Sequence, residues 1–274
     1  MPICFTKIHC AGNDYIVAET FTQRVYDPLT LAVILTDRRF GIGGDALLVV
    51  SPDEEGKADA SLSVYAADGT DTDSAGFASR SAAKLLFDRQ IVTGDRLTLQ
   101  TRAGQIPLCA VARDRHGVSL IRETGPAPAV GTESIKVPDA KGGVLTVHPV
   151  GAQAVLLLGE SFPELDNLTQ VNIAVLATTL GSVSELRGKP FSVAAQMQDG
   201  SAAVRMWIPG TGETRVRADA VEAAASLLAQ NGALPDGEEL TVRMTGGETA
   251  VRLSGTMLEL TGPATAVFDG MTVI

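Results

Sequence analysis

Short runs in which apolar and polar residues alternate make up much of the chain. A period of two is typical of half-buried β-strands, because successive side chains of a strand point to opposite faces. Turns rich in glycine and proline, such as Gly125-Pro126 and Gly262-Pro263, separate several of these runs. The predicted strands include Ala46–Val50, Ser61–Tyr65, Val118–Arg122, Ala154–Leu158, Ala202–Trp207, Thr249–Leu253 and Met257–Leu260.

Two alanine-rich segments interrupt the strand pattern and predict helices at Ser79–Asp88 and Ala218–Gln230. A glycine-threonine turn precedes each helix, and each is followed by similar sequences, Leu97–Gly104 and Leu240–Gly247. The same order of elements therefore occurs twice, which indicates an internal repeat. The pattern predicts an α+β protein with many strands and few helices, built from two similar halves.

Composition narrows the class of protein. The 274 residues carry a formal net charge of −10 without a basic run, which argues against nucleic acid or an anionic membrane as a partner. We find neither a signal peptide nor a run of about 20 apolar residues. Three cysteines at no regular spacing fit a reducing compartment, so we expect a cytoplasmic protein.

Several segments resemble the diaminopimelate epimerase family. They are Phe5–Tyr15 near the start, the glycine loops Ala67–Gly76 and Pro209–Ala218, and the closing Leu260–Ala264. The resemblance implies two pseudo-symmetric domains, each a curled mixed β-sheet around a central helix, with a cleft between them. We place the N-terminal domain at residues 1–124 with a returning strand at 266–274, and the C-terminal domain at residues 125–265.

The resemblance also reveals two missing thiols. The family's loop patterns have catalytic cysteines where this sequence has Ala75 and Arg217. In the family, each thiol lies at a helix N-terminus, where the helix dipole favours the thiolate. Alanine cannot accept a proton, and an arginine side chain remains protonated at ordinary pH. Epimerisation by two facing thiols is therefore excluded if this correspondence holds.

Other replacements change the polarity of the implied site. Family patterns carry asparagine, histidine or a glutamate-arginine pair at several positions where this chain has alanine, phenylalanine, isoleucine or proline. We expect ligand contacts from Asn13, Ala66, Ala75, Phe77, Phe162, Asn172, Ile208 and Pro209. Asn13 could instead form a turn with Asp14. Polar groups of a diamino diacid would meet few partners in such a site, at a cost of about 1–3 kcal/mol for each buried unpaired group.

The candidates for catalytic residues are Arg217, Asp219 and Glu160. Arg217 and Asp219 could be a helix cap with its counter-charge, or a new polar centre in an apolar pocket. Gly41–Asp45 lacks the spacing of a phosphate-binding loop. The three histidines share no metal-ligand spacing, so we expect neither a metal nor a cofactor.

Three functional hypotheses follow. The first is a repurposed, cofactor-independent isomerase or cyclase that acts on a small ligand less polar than diaminopimelate and could form a homodimer. The second is a pseudoenzyme that binds a ligand or a partner without catalysis. The third is residual amino acid epimerisation through Cys10, which lies near Asn13 in the opening segment.

Overall fold

The computed structural model describes residues 2–72, 77–139 and 142–273 of the chain. They divide into an N-terminal unit, Met1–Gly125 with Leu260–Ile274, and a C-terminal unit, Pro126–Glu259. The N-terminal domain predicted from the sequence ends at Thr124, and its predicted returning strand begins at Ala266.

In its described residues, the N-terminal unit is a mixed sheet with two helices. β2 runs parallel to β3 and β4 parallel to β5, whereas the pairs β17–β1, β1–β2, β3–β4, β5–β6 and β6–β7 are antiparallel. The elements are β1 (Pro2–Cys10), β2 (Asn13–Glu19), α1 (Pro28–Thr36), β3 (Ala46–Ser51), β4 (Ala60–Ala66), α2 (Ala78–Asp88), β5 (Arg96–Thr101), β6 (Gly104–Asp114), β7 (Gly117–Pro126) and β17 (Thr265–Val273).

The C-terminal unit repeats this arrangement. β10 runs parallel to β11 and β12 parallel to β14, while β8–β9, β9–β10, β11–β12, β12–β13 and β14–β15 are antiparallel. The elements are β8 (Ile135–Pro138), β9 (Val144–Val150), β10 (Gln153–Leu157), α3 (Leu158–Ser161), a 3₁₀ helix (Leu168–Gln170), α4 (Ile173–Gly181), β11 (Phe191–Gln196), β12 (Ala202–Ile208), β13 (Gly212–Thr214), α5 (Ala218–Gln230), β14 (Glu239–Met244) and β15 (Gly247–Ser254). β16 (Met257–Pro263) then returns the chain to the N-terminal unit.

One helix lies at the centre of each unit. α2 contacts β1 to β6 and β17, and every residue from Ala78 to Phe87 is buried. α5 contacts β9 to β12 and β15, and its buried positions are mainly alanine and leucine. Small side chains let the surrounding strands approach the helix closely, and burial of the apolar ones provides most of the stabilisation.

The structure confirms the predicted fold class, and every predicted strand lies within or overlaps an observed one. α5 has the predicted limits, and α2 begins one residue earlier than predicted. The sequence analysis missed α1, which is apolar on most sides and shows no period of 3.6 residues. It also missed α4, although Ile173, Leu176 and Leu180 have helical spacing. None of the helices in the described ranges is long and apolar enough to cross a bilayer.

The turn near the N-terminus differs from the predicted one. Ala11 and Gly12 form it, with positive φ angles of 47° and 80°, as a two-residue hairpin loop of type I′ requires. Asn13 is already in β2 and pairs with Cys10. The interpretation of Asn13 and Asp14 as a turn is therefore wrong.

Candidate functional site

The start of α5 carries a compact polar network. Arg217 is the N-cap residue of the helix, and Asp219 lies in its first turn. The Arg217 guanidinium donates two hydrogen bonds to the Asp219 carboxylate, from Nε at 3.2 Å and from Nη2 at 2.5 Å. The carboxylate also accepts the backbone N–H of Ala220 at 3.0 Å. A negative charge at this point is stabilised by the helix dipole, so the protein's own carboxylate occupies a position that suits an anion.

Gln153 completes this network, and the sequence analysis did not identify it. It is the first residue of β10, follows the two-residue turn Gly151-Ala152, and donates from Nε2 to Asp219 at 2.9 Å. Its side chain is buried. Gln153 corresponds to Asn13 of the N-terminal unit, since each opens the second strand of a hairpin after a two-residue turn. Extending the internal repeat upstream of the helices would have found it.

Ile208 and Pro209 lie at the end of β12. Ile208 is half-buried and shares a strand face with Met206, because alternate residues of a strand point the same way. Pro209 is exposed and begins the turn that leads to β13. β13 pairs with this end of β12 and continues to Arg217. Ile208 and Pro209 therefore lie in the segment of the chain that leads, through β13, to the start of α5.

Glu160 and Phe162 lie beyond the other end of β10. Gln153 begins this strand and α3 follows its last residue, about 13 Å away along an extended chain. Glu160 bonds to His148 Nε2 at 2.7 Å and lies 3.9 Å from Lys136 Nζ. Phe162 packs on the apolar core of the C-terminal unit. The structure thus groups Arg217 with Asp219, whereas the described contacts of Glu160 are with other residues.

Asn172 has a structural role at the start of α4. Its side chain is the N-cap and accepts the backbone N–H of Val175 at 3.1 Å. This bond satisfies one of the free N–H groups of the first turn, which is the usual function of asparagine at this position. The contact accounts for Asn172 without a ligand, so its predicted ligand contact remains a prediction.

At the start of α2, Phe77 is the N-cap residue and is fully buried. Its backbone N–H donates to the Tyr15 hydroxyl at 2.9 Å, and its ring lies 4.4 Å from the Arg80 guanidinium carbon. Arg80 is also buried and pairs with Glu123 at 3.1 Å. Phe77 therefore supports the helix and a buried cation. Ala75 lies outside the described residues.

Four charged residues form a network beside Asn13, which is itself buried. Asp14 contacts Lys7 Nζ and Arg38 Nη2, each at 2.6 Å, and Arg38 also contacts Asp45 at 2.8 Å. Burial alone would raise the pKa of Asp14, but hydrogen bonds from Arg38 and Lys7 outweigh that effect and hold it below its usual value.

The glycine loop Gly41–Asp45 serves this network. The Gly43 carbonyl accepts a hydrogen bond from Lys7. A Cβ atom on Gly44 would lie 3.1 Å from Lys7 Nζ, so glycine gives the lysine room. These contacts explain the loop without a bound phosphate.

Cys10 lies inside the N-terminal unit rather than on a surface. Its side chain is fully buried and lies 3.2 Å from the Ser81 hydroxyl of α2. Burial raises the pKa of Cys10 to about 11. A thiol with such a pKa is protonated at neutral pH and is a poor base. This geometry disfavours epimerisation through Cys10.

Ala66 ends β4 and opens the first glycine loop. Its backbone N–H donates to the Thr70 carbonyl at 2.9 Å, and its own carbonyl accepts the N–H of Gly69 at 2.9 Å. Asp68 accepts both the N–H and the hydroxyl of Thr70, and these hydrogen bonds lower its pKa. The turn before the undescribed residues 73–76 is thus held by local hydrogen bonds.

Comparison with known proteins gives the family. A family model described as diaminopimelate epimerase matches residues 5–130. A diaminopimelate epimerase of Pelotomaculum thermopropionicum is 30% identical over 278 residues, covering 97% of both chains. The chain belongs to the diaminopimelate epimerase family. Another such enzyme, from Methanococcus maripaludis strain C6, is 28% identical and covers 97% of this chain and 98% of its own.

Solved structures share the fold of this family member at lower identity. A phenazine biosynthesis protein of the PhzF family from Bacillus anthracis has a TM-score of 0.74 at 15% identity, with both chains fully covered. A probable proline racemase from Agrobacterium radiobacter K84 has a TM-score of 0.72 at 18% identity, covering 99% of this chain and 92% of its own. At these identities the likeness establishes the fold alone.

Within the family, Arg217 gives the second loop a different chemistry. The loop pattern Gly210-Thr211-Gly212-Glu213-Thr214 is kept, and Arg217 follows where the pattern has a cysteine. A guanidinium carries a fixed positive charge and five N–H donors but accepts no proton. The start of α5 can therefore hold or polarise an electron-rich group.

Proposed function

We propose that this family member is a cofactor-independent isomerase or cyclase that does not use paired thiols. The observation that carries the proposal is the network of Arg217, Asp219 and Gln153 at the start of α5. A fixed cation at a helix N-terminus stabilises negative charge that develops on a carbonyl or carboxylate oxygen during a rearrangement. Membership of a family of epimerases supports isomerase-type chemistry for the same scaffold.

The ligand in this proposal is less polar than diaminopimelate. Ile208 and Pro209 approach the helix start where the family pattern has a glutamate-arginine pair. Arg217 provides one positive charge, which Asp219 balances by taking two of the five N–H donors of the guanidinium. A ligand with one acceptor group and an apolar body matches these residues, because polar groups without partners are costly to bury.

Ligand screening tests the proposal directly. Thermal-shift measurements would compare meso-diaminopimelate with aromatic and aliphatic monocarboxylates that have an enolisable carbon. We expect the monocarboxylates to stabilise the protein more, and any turnover to be lost in Arg217→Gln. Arg215→Gln is the matched control, since Arg215 is exposed two residues earlier. Preferential stabilisation by diaminopimelate, or uptake of deuterium from heavy water into diaminopimelate, would contradict the proposal.

The second candidate is a ligand-binding protein without catalysis. The observation in its favour is that the Asp219 carboxylate already accepts hydrogen bonds from Arg217, Gln153 and the Ala220 backbone. With these donors already bonded to it, the carboxylate has fewer lone pairs available for a ligand. This candidate predicts that a ligand found by screening is recovered unchanged after long incubation, and that Arg217→Gln alters only its affinity. Conversion of the ligand would reject it.

A further inference from the structure

The C-terminal unit contains a cavity of about 350 Å³ away from the start of α5. It lies where the 3₁₀ helix, the beginning of β12 and the end of β14 meet. Ala203 of this cavity and Ile208 are about 16 Å apart along β12. The volume falls within the range of small-molecule sites in proteins.

The floor of the cavity is apolar. Leu168 is buried there, and Met197, Ala203 and Met244 are half-buried around it. Methionine side chains are flexible and polarisable, so they adapt to ligands of different shape. These four residues suit an aliphatic or aromatic body.

One wall of the cavity is a fixed arginine. Arg205 donates from Nη1 to the carbonyls of Leu168 and Val171, both at 2.8 Å. It also forms a two-point contact with Glu213, at 2.7 and 3.0 Å. With these bonds in place, Arg205 shapes the cavity and its charge is already balanced by a carboxylate.

A second arginine at the rim is differently placed. Arg243 is half-exposed, and it forms an ion pair with Asp199 at 2.8 Å. Asp199 is half-exposed too, and it also accepts hydrogen bonds from Ser201. Exposed ion pairs contribute little to stability, so Arg243 can accept a second carboxylate at low cost.

We propose that this cavity is a binding site for a small amphipathic carboxylate. The apolar body lies against Met197, Ala203 and Met244, and the carboxylate bonds to the Arg243 guanidinium. This site is separate from the one proposed for the reaction, so each can be tested without the other.

Octanoate is a suitable probe, with 1-octanol lacking the charge and butyrate lacking most of the apolar body. Binding is followed by calorimetry and by the fluorescence of Trp207, the single tryptophan, which lies on the same strand face as Ala203 and Arg205. We expect saturable octanoate binding with a dissociation constant below about 1 mM, and weaker binding of both other probes.

Single substitutions locate the site. Ala203→Phe should fill the cavity and abolish octanoate binding, and Thr245→Phe at the rim replaces it if the first variant does not fold. Arg243→Gln should weaken octanoate binding about tenfold and leave 1-octanol binding unchanged. Arg252→Gln is the matched control, since Arg252 forms a similar ion pair with Glu239 outside the cavity. Undiminished binding in the filled variant, or equal binding of octanoate and butyrate, overturns the proposal.

Discussion

α2 and α5 are equivalent helices in the two units, yet their polar residues differ in position. α2 carries two buried cations, Arg80 and Lys84, in its interior. Counted from the N-cap residues, α5 has Ala220 and Ala224 at the same positions, and both are buried. The charged residues within α5 are instead acidic, Asp219 and Glu222, and both lie in its first half. The repeat therefore fixes where the helix lies, and the side chains decide whether its centre is charged.

The charges within α2 are compensated by residues of β7 and by the last residue of the helix itself. Glu123 on β7 pairs with Arg80 and accepts a hydrogen bond from Ser79. Lys84 bonds to the Val118 carbonyl and to Asp88, both at 2.7 Å. Buried ions are tolerated only with such partners. This comparison teaches that α2 depends on its ion pairs for stability, whereas α5 depends on apolar packing and its first turn.

The largest expected effect concerns the buried ion pair between Arg80 of α2 and Glu123. Glu123→Gln removes the negative charge beside Arg80 and leaves a cation in the core, so the free energy of unfolding should fall by about 3–5 kcal/mol. Asp95→Asn is the control, since Asp95 pairs with Arg113 at 2.8 Å on the surface and should change stability by less than about 1 kcal/mol. Urea denaturation measures both. Equal small losses would show that the buried pair is not essential.

The second prediction concerns the effect of pH on Cys10, which is buried beside α2. Cys10 has a folded-state pKa of about 11 against an ordinary value of 9.0, so the folded state favours the neutral thiol. The stabilisation of the folded state by the neutral Cys10 thiol is complete below about pH 9, and it is lost as the pH rises through about 11. Relative to Cys10→Ala, the unfolding free energy should fall by about 2–3 kcal/mol over this range. Cys4→Ala, at an exposed cysteine, should show no such trend.

A thiol reagent checks the same point at neutral pH. Ellman's reagent should label Cys4 quickly and reach Cys10 only after unfolding, because Cys10 is buried. Rapid labelling of Cys10 in the folded protein would restore it as a candidate base.

The third prediction addresses the first turn of α5. Asp219→Asn weakens the ion pair with Arg217 and removes a negative charge from the helix N-terminus. The unfolding free energy should fall by about 1–2 kcal/mol. Glu248→Gln on β15 is an exposed acid-to-amide control and should have little effect. No difference between the two variants would mean that the network does not support α5.

The smallest expected effect concerns the start of α2. Tyr15→Phe removes the hydroxyl that accepts the Phe77 N–H, at a cost of about 1 kcal/mol. Tyr65→Phe on β4 is the matched control, with an expected change near zero. A comparable loss in both variants would assign the effect to aromatic packing rather than to the cap.

Much of the fold could be predicted because its signals are local. The strands follow from alternating residues, and α5 follows from an alanine-rich run with Asp219 in its first turn. α1 was missed because an apolar segment without periodicity does not distinguish a helix from a buried strand. α4 was missed although Ile173, Leu176 and Leu180 have helical spacing. Their caps, Asp27 and Asn172, were the available signals.

The candidate site could be predicted only in part. Arg217 and Asp219 are two residues apart, so their pairing could be foreseen from the sequence. Gln153 is 66 residues from Asp219, and their contact depends on the register of β10 beside α5. Glu160 was grouped with Arg217 from a motif match, yet β10 separates it from that end of the sheet. Motif matching gives residue types but not which end of a strand they occupy.

The sequence by itself determined the family, the repeated α+β arrangement and the arginine at the start of α5. Only the tertiary structure decided that Arg80 and Lys84 are buried with their partners, that Cys10 is enclosed, and that Gln153 joins Asp219. The reason is physical. Periodicity and capping act between neighbouring residues, whereas the burial and pairing of charges depend on which distant segments the sheet brings together.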